Sequence, residues 1–188
     1  MRITGADSVG TVGGLIFKAL QRHIMGALGP DQWDAIVKDV QKALPKGTII
    51  DWSSGVGLPE LLKFAADALS TTPESLMYDA ARSWVDRDRT ASAAVPPRGL
   101  LTATQLKIYT NTLGNVFPFL KPPVLTSHRD RLGVTHLRFY CYRGGFTPFV
   151  HGLLASTAFA FDPGIAVTLN ARQADGGDHD DFILEAAA

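Results

Sequence analysis

Apolar residues recur at helical spacing through the first half of the chain, with polar residues between them. An apolar stripe of this kind indicates an amphipathic helix that buries one face. We predict four such helices, which begin near Gly13, Pro30, Leu58 and Pro73. Proline suits a first helical turn because its missing N–H would have no partner inside the helix. A polar loop is predicted at 86–98, and a further helix at 99–113, where Gly114 would end it.

The pattern changes after the pair Pro122-Pro123, where short apolar runs and alternating residues replace the helical spacing. Alternation with period two is typical of strands that are buried on one face. Strands are predicted at 124–127, 134–142, 165–170 and 182–184, and a helix at 147–161. The segment Asp175-Gly176-Gly177-Asp178 would form the hairpin turn before the last strand.

Helices first, then strand, helix, strand and strand, predict an α+β fold with a small antiparallel sheet. The 188 residues suffice for one sizeable core, so we predict a single domain over 1–188. Its helical part covers about 13–98. Its second part, with one more helix and then the sheet with its packed helix, covers about 99–185.

The stretch 139–154 reads as a strand that breaks at Gly144 and restarts as a helix. Cys141 and Arg143 share a strand face with Phe139, because side chains alternate with period two. An arginine at the end of an apolar strand face is suited to holding a carboxylate beside an apolar cavity. The alternative is structural, since such an arginine also caps helix C-termini or pairs with surface acids.

Composition and charge narrow the class of protein. Apolar residues make up 46% of the chain, and its 18 basic and 18 acidic residues balance. This balance does not favour nucleic acid or an anionic membrane as a partner. The single cysteine, Cys141, excludes an internal disulfide and fits a reducing compartment. The start of the chain lacks the apolar core of a signal peptide, and polar residues interrupt the most apolar run, 146–167, so we predict a soluble cytoplasmic protein.

Motifs for phosphate, metal or catalysis are weak in this sequence. The string Gly55-Val-Gly57 lacks the third glycine of a phosphate-binding loop. The acidic string 178–181 falls in the predicted hairpin, where we expect its acids to serve the turn and solubility rather than a metal. The five histidines are scattered, and His136 falls on the strand face opposite Cys141, so we interpret them as solvated or core-capping. No nucleophile has a recognisable base and oxyanion neighbourhood, so we predict that the chain is not an enzyme.

A series of short strings occurs along the chain in a fixed order. They are Gly14-Leu-Ile-Phe-Lys-Ala-Leu20, Gly29-Pro-Asp-Gln-Trp33, Leu58-Pro-Glu-Leu-Leu62, Thr72-Pro-Glu-Ser-Leu76, Phe117-Pro-Phe-Leu-Lys-Pro-Pro123, Arg143-Gly-Gly-Phe-Thr-Pro-Phe-Val-His-Gly-Leu-Leu154 and Asp175-Gly-Gly-Asp-His-Asp180. In order and separation they resemble the heme nitric oxide/oxygen-binding family, the H-NOX sensor domains. The resemblance covers nearly the whole chain from Gly14.

The resemblance implies a heme site, and this sequence departs from the family at that site. The family binds heme iron through a helical histidine, and the matching position, counted from Pro123, is Thr110. The family holds the heme propionates with a Tyr-x-Ser-x-Arg motif, whose matching positions are Phe139, Cys141 and Arg143. Only the arginine is retained. Because a threonine hydroxyl is a poor iron ligand, the departures imply a retained fold with altered ligand chemistry.

By alignment with the family, one set of residues would line a pocket. These residues are Ile16, Leu20, Tyr109, Thr110, Pro123, Leu137, Phe139 and Cys141. We interpret the chain as an H-NOX-like sensory or regulatory domain whose pocket lacks family-type heme coordination. Its ligand would be a small apolar molecule, and a carboxylate on that molecule would meet Arg143.

Two alternatives stay open. In the first, the chain is a heme-binding nitric oxide/oxygen sensor in which Tyr109, Cys141 or a displaced histidine ligates the iron. In the second, it is an interaction module without a ligand, because Leu137 and Phe139 add bulk where a cofactor would need room. H-NOX domains commonly act through a histidine kinase or a cyclic-nucleotide enzyme. The resemblance therefore implies such a signalling partner, in trans or in a region beyond this sequence.

Overall fold

The computed structural model of the protein describes five stretches of the chain. They are residues 12–52, 55–91, 125–140, 145–172 and 175–186. The chain divides into two compact units, Met1–Trp84 and Val85–Ala188. The predicted helix at 99–113 and the glycine that would end it lie outside the described residues.

The helices of the first unit begin where the sequence predicts them. They are α1 (Val12–Leu28), α2 (Pro30–Ala43), α3 (Leu58–Leu69) and α4 (Pro73–Ala91). At α2 and α3 a proline occupies the first turn, as predicted. At α4 the hydroxyl of Thr72 accepts the N–H of Ser75 at 3.1 Å, which satisfies one of the amides that the first turn leaves free.

The first unit packs its helices around an aromatic group. The ring of Phe17 on α1 stacks on Trp52 at 4.4 Å between centroids and lies 5.7 Å from the ring of Trp33 on α2. Gly57 precedes α3 with a φ of 89°, a conformation that costs any other residue strain. A Cβ at Gly57 would also lie 3.3 Å from Cγ1 of Val40 on α2, so the start of α3 and α2 approach closely here.

Helix α4 is longer than the sequence predicts. Residues 86–91 are helical, although the prediction placed a loop from 86 onwards. The prediction interpreted the polar residues from 86 onwards as a loop. Residues 86–91 have charges of both signs and neither glycine nor proline, so no residue among them ends the helix. In the second unit, Oδ1 of Asp86 accepts a hydrogen bond from the hydroxyl of Ser156 at 3.2 Å, which also supports the extension.

Besides the end of α4, the second unit contains the predicted antiparallel sheet and one further described helix. The elements are β1 (Leu125–Arg129), β2 (Thr135–Phe139), α5 (Thr147–Phe161), β3 (Ile165–Ala171) and β4 (Asp180–Ala186). All neighbouring strands are antiparallel, in the order β1-β2-β4-β3. This arrangement confirms the predicted α+β class. The strand predicted at 134–142 is shorter, since β2 ends at Phe139 and residues 141–144 lie outside the described part.

One face of the sheet carries the apolar core of the second unit. Its buried members are Leu137, Phe139, Leu154, Ala158, Val167 and Phe182. The two from α5 lie one helical turn apart, and the four from the strands lie on the same sheet face because strand side chains alternate. Phe182 is fully buried and is paired in register with Leu137. Helix α5 therefore covers this face, and the residues at the intervening strand positions point to the other.

Candidate functional site

The described pocket residues lie in two separate sets. Ile16 and Leu20 are fully buried on α1, one turn apart, in the first unit. Leu137 and Phe139 lie on β2 in the second unit, 0% and 5% exposed, and both belong to the core cluster that α5 covers. The structure therefore brings the second pair together with hydrocarbon neighbours. The remaining predicted site residues lie outside the described part: Tyr109, Thr110, Pro123, Cys141 and Arg143.

The buried carboxylate of Asp180 lies next to the end of β2 and the start of α5, the two elements on either side of Arg143 in the sequence. Phe139, the last residue of β2, is the register partner of Asp180 on β4. The carboxylate of Asp180, which is 2% exposed, accepts a hydrogen bond from the hydroxyl of Thr147 at 2.7 Å. Thr147 is the first residue of α5, whose preceding residue supplies no side-chain cap. Asp180 thus provides negative charge beside a helix start, where the helix dipole favours it.

The sheet face opposite the apolar core carries a polar cluster that the sequence did not predict. Nδ1 of His136 on β2 lies 3.0 Å from Oδ2 of Asp181 on β4. The same oxygen accepts a hydrogen bond from Nδ2 of Asn170 on β3 at 2.8 Å. Asp181 is 7% exposed, so this carboxylate is held by hydrogen bonds rather than by water.

The turn between β1 and β2 joins the same cluster through Asp130. Its Oδ1 accepts the backbone N–H groups of Leu132 and Val134 at 2.9 and 2.8 Å, which orders the turn. Its Oδ2 lies 3.7 Å from Nε2 of His136, close enough for an ion pair when the imidazole is protonated. His136 therefore has a carboxylate at each ring nitrogen.

His128 and Arg138 complete the cluster. The imidazole of His128 on β1 stacks on that of His136 with 4.7 Å between centroids. Nη2 of Arg138 lies 3.4 Å from Nε2 of His128, and Arg138 is the register partner of Asp181. Nε of Arg138 and Oδ1 of Asp181 are buried and have no hydrogen-bond partner. The cluster thus contains one hydrogen-bond donor, on Arg138, and one acceptor, on Asp181, that are not used in the contacts described above.

The surroundings lower the pKa of both carboxyl groups that face His136. Backbone hydrogen bonding, first from Val134, lowers the pKa of Asp130, and the charge of His136 adds to this. Burial acts to raise the pKa of Asp181, but hydrogen bonds from Asn170 and His136 and the charge of Arg138 outweigh it, so the net shift is downward. Both acids are therefore held in their ionised form.

The other three histidines of the chain also have partners. Nδ1 of His23 lies 2.9 Å from the hydroxyl of Ser83, and Nε2 of His151 donates to the carbonyl of Val167 at 2.8 Å. His179 is hydrogen-bonded to Asp178, and that contact lowers the pKa of Asp178. Each of the five imidazoles is thus engaged within its own unit.

The prediction that the acids of 178–181 serve a solvated turn is wrong for two of them. Asp178 is exposed, but Asp180 and Asp181 lie in β4 and are buried on opposite faces of the sheet. The strand begins two residues earlier than predicted, because the acids have partners across the sheet that offset their cost of burial. The alternation of His136 and Arg138 with Leu137 and Phe139 was a usable signal for a polar face, whereas the register with β4 was not readable locally.

Other kinds of site find little support in the described residues. Within the ranges given above, no group of three or more histidine, cysteine, aspartate or glutamate side chains is placed to hold a metal ion. A cavity of about 500 Å³ lies along β3, and residues of 167–172, His151 and Asp175 line it. It includes none of the predicted pocket residues. None of the helices within the described ranges has the length and hydrophobicity needed to span a bilayer.

The fold is similar to that of solved H-NOX proteins. The H-NOX protein from S. oneidensis in the Fe(II)NO ligation state matches with a TM-score of 0.63 at 17% identity, covering 93% of this chain and 98% of that chain. The unliganded Fe(II) H-NOX protein from K. algicida matches with a TM-score of 0.64 at 12% identity, covering 93% and 96%. The IWP-051-bound H-NOX from Shewanella woodyi gives 0.63 at 16% identity, covering 94% and 95%. At these identities the likeness establishes the fold alone.

Sequence comparison supplies the family. No curated protein matches the chain at a significant level. The profile of the family described as Haem-NO-binding matches residues 13–169, which is most of the chain. This match confirms the resemblance carried by the short strings, from the first helix to β3. The chain belongs to the Haem-NO-binding, or H-NOX, family of heme-based gas sensors.

Proposed function

We propose that this chain is an H-NOX sensory domain whose ligand site does not use family-type heme coordination. Its ligand would be a small, largely apolar molecule, and Arg143 would meet a carboxylate on that molecule. The domain would act on a signalling partner, such as a histidine kinase or a cyclic-nucleotide enzyme, without catalysing a reaction itself. Its own residues would therefore bind and report a ligand.

The histidines carry the proposal. The chain has five, all of them lie among the described residues, and none lies in 99–113, where the family's ligand would be. Each has a partner within its own unit. Recruiting one to iron would break an existing hydrogen bond or a core contact. The position that matches the family's iron ligand holds Thr110, whose hydroxyl is a poor ligand.

The environment of β2 supports the same conclusion. Phe139 takes the place of the tyrosine in the propionate-binding motif, and its ring is buried in the core with Phe182. A phenyl ring has no hydroxyl with which to bind a propionate. Its core neighbours are hydrocarbon and its register partner is the buried carboxylate of Asp180, so this end of β2 suits an apolar ligand better than the charged edge of a heme. The described part of β2 therefore supports a site that does not hold heme in the family's manner.

An absorption spectrum tests the proposal directly. We expect the protein purified from a heme-replete host to lack a stoichiometric Soret band and to take up no added hemin. The matched comparison restores the family's residues with Thr110→His, Phe139→Tyr and Cys141→Ser in one chain. We expect that variant to gain a Soret band, because its fold is retained. A wild-type protein with stoichiometric heme would overturn the proposal, and loss of that heme in Tyr109→Phe would then identify altered ligation.

A fatty acid of medium chain length is a suitable probe for the second part of the proposal. Arg143→Gln should weaken its binding by about tenfold or more, because a hydrogen bond to a charged group contributes about 1.5–3 kcal/mol. The control is Arg131→Gln, an exposed arginine outside both the predicted pocket and the cavity along β3, which should leave binding unchanged. Equal binding by wild type and Arg143→Gln would exclude the carboxylate role of Arg143.

A second candidate is supported by the packing of Leu137 and Phe139. Both are fully or almost fully buried in a continuous core cluster, which is what a domain without a ligand would also have. In that case the chain would be a protein-interaction module. Native mass spectrometry of the purified protein distinguishes the two candidates. A copurifying small molecule supports the ligand-binding domain, and a mass equal to that of the bare chain, together with no fatty-acid binding, supports the interaction module.

A further inference from the structure

His136 is placed between two carboxylates that come from different segments. Its Nδ1 faces Asp181 on β4 at 3.0 Å, and its Nε2 faces Asp130 in the turn after β1 at 3.7 Å. A carboxylate only accepts hydrogen bonds, and a neutral imidazole has one N–H. Neutral His136 can therefore donate a hydrogen to only one of the two carboxylates. The imidazolium has two N–H groups and a positive charge, so it interacts favourably with both.

The charged groups around His136 favour one imidazolium in the cluster and disfavour a second. Among the described residues, the titratable and charged groups that face His136 are Asp130, Asp181, His128 and Arg138. Arg138 always donates, so Nε2 of His128 must present its lone pair, and His128 is neutral in this arrangement. A second imidazolium would put three adjacent positive charges on the face. The geometry of the cluster therefore accommodates one imidazolium, at His136.

The two acids have distinct tasks, and each links His136 to a different element. Asp130 also orders the turn, since its other oxygen accepts the N–H groups of Leu132 and Val134. Asp181 also accepts from Asn170 on β3. The lowered pKa values of Asp130 and Asp181 keep both carboxylates ionised well below neutral pH. A continuous polar path thus runs from the turn through β2 and β4 to β3.

We propose that His136 is a proton-operated clamp that fastens the β1–β2 turn to β4 as an imidazolium and releases the turn when it loses its proton. Histidine is the side chain whose ordinary change of charge falls between about pH 5 and 8, so that range is the one in which to test the clamp. The device is regulatory and does not depend on which ligand the domain binds. Its effect concentrates on the turn, because Asp181 keeps its bond from Asn170 in either state.

Amide hydrogen exchange at the turn measures the clamp. In wild type, protection of the Leu132 and Val134 amides, corrected for intrinsic exchange, should fall by about two- to fivefold between pH 5.5 and 8, as expected when Asp130 loses a part-exposed ion pair with the imidazolium. In His136→Gln the protection should be low and equal at both pH values, because glutamine does not titrate. The control is His179→Gln, which changes the histidine bonded to Asp178 and should behave as wild type.

The ring nitrogens of wild-type His136 give a readout that needs no variant. Nitrogen-15 chemical shifts should identify an imidazolium at the acidic end of the range, and its loss should coincide with the change in protection at Leu132 and Val134. A neutral His136 with one fixed tautomer throughout the range would overturn the proposal. So would a pH response of the turn that persists unchanged in His136→Gln.

Discussion

The two faces of the sheet in the second unit are stabilised in different ways. Leu137 and Phe139 on one face pack with Phe182 under α5, where burial of apolar surface needs no particular geometry. His136 and Arg138, which alternate with them along β2, join Asp181 on the other face, where each polar atom needs a partner at hydrogen-bond distance. The apolar face should tolerate substitution by other apolar residues of similar volume. The other depends on charge and therefore on pH.

This contrast also bears on function. The apolar face includes two of the predicted pocket residues, and the polar face includes the histidine that we propose as a proton-operated clamp. Adjacent residues of one strand, His136 and Leu137, would therefore have the two proposed roles. A change in the ligand and a change in protonation would both act on β2, from opposite sides. Substitutions on each face separate these contributions.

The largest effect is expected on the apolar face. Phe182→Ala removes a fully buried ring from the centre of the core and should lower the free energy of unfolding by about 3–5 kcal/mol. Urea denaturation followed by circular dichroism measures this. The matched control is Phe159→Ala on α5, whose side chain is 51% exposed and should cost much less. Similar losses for the two variants would mean that the apolar face is not the main source of stability.

On the polar face, Asp181→Ala should cost about 1–3 kcal/mol at neutral pH, because it leaves His136 and Asn170 without their shared acceptor. The sign of its pH dependence follows from the lowered pKa of Asp181. The ionised carboxylate stabilises the fold fully above its unfolded pKa of about 3.9, and this is lost as the pH falls through the folded value. The difference between wild type and variant should therefore shrink between pH 7 and about pH 2. A difference that is constant with pH would contradict a charged role.

The helix starts and the apolar face could be predicted because their signals are local. A proline in a first turn, as at Pro30 and Pro73, and an apolar residue at every third or fourth position act within one element. The end of α4 was mispredicted because polar composition does not end a helix when both signs of charge are present. Local signals thus determined which elements form, but not where each one ends.

The polar cluster could not be predicted because it depends on register. Asp181 meets His136 and Arg138 only when β4 pairs with β2 in this alignment, and the two segments are separated by α5 and β3 along the chain. A shift by one residue would exchange Asp180 and Asp181 between the two faces. Asp180 would then lose Thr147, and Asp181 would enter the apolar core. The candidate site therefore rests on tertiary pairing that composition and spacing do not encode.

A smaller effect is expected where the apolar face meets the start of α5. Thr147→Val removes the hydroxyl that donates to buried Asp180 and should cost about 1–2 kcal/mol, since hydrogen bonds to charged groups contribute most when buried. The control is Thr168→Val on the opposite face, where the hydroxyl donates to Glu185 in solvent at 3.0 Å. That change should stay within about 0.5 kcal/mol. Unfolding in urea compares the two, and an equal cost would mean that burial of Asp180 adds nothing.

The smallest effect is expected at Asp178, which shares the acidic string 178–181 with Asp181 but is exposed. Its pKa is lowered mainly by the hydrogen bond with His179, so this contact exists above the unfolded pKa of the carboxyl and is lost on acidification. Water and salt screen such a contact, and Asp178→Asn should leave the urea midpoint at neutral pH unchanged within error. The comparison with Asp181→Asn then isolates burial, because both substitutions remove one charge from the same string. If Asp178→Asn destabilised the fold as much as Asp181→Asn does, loss of negative charge beside Arg138 would explain both results. Burial of Asp181 in the polar face would then make no separate contribution.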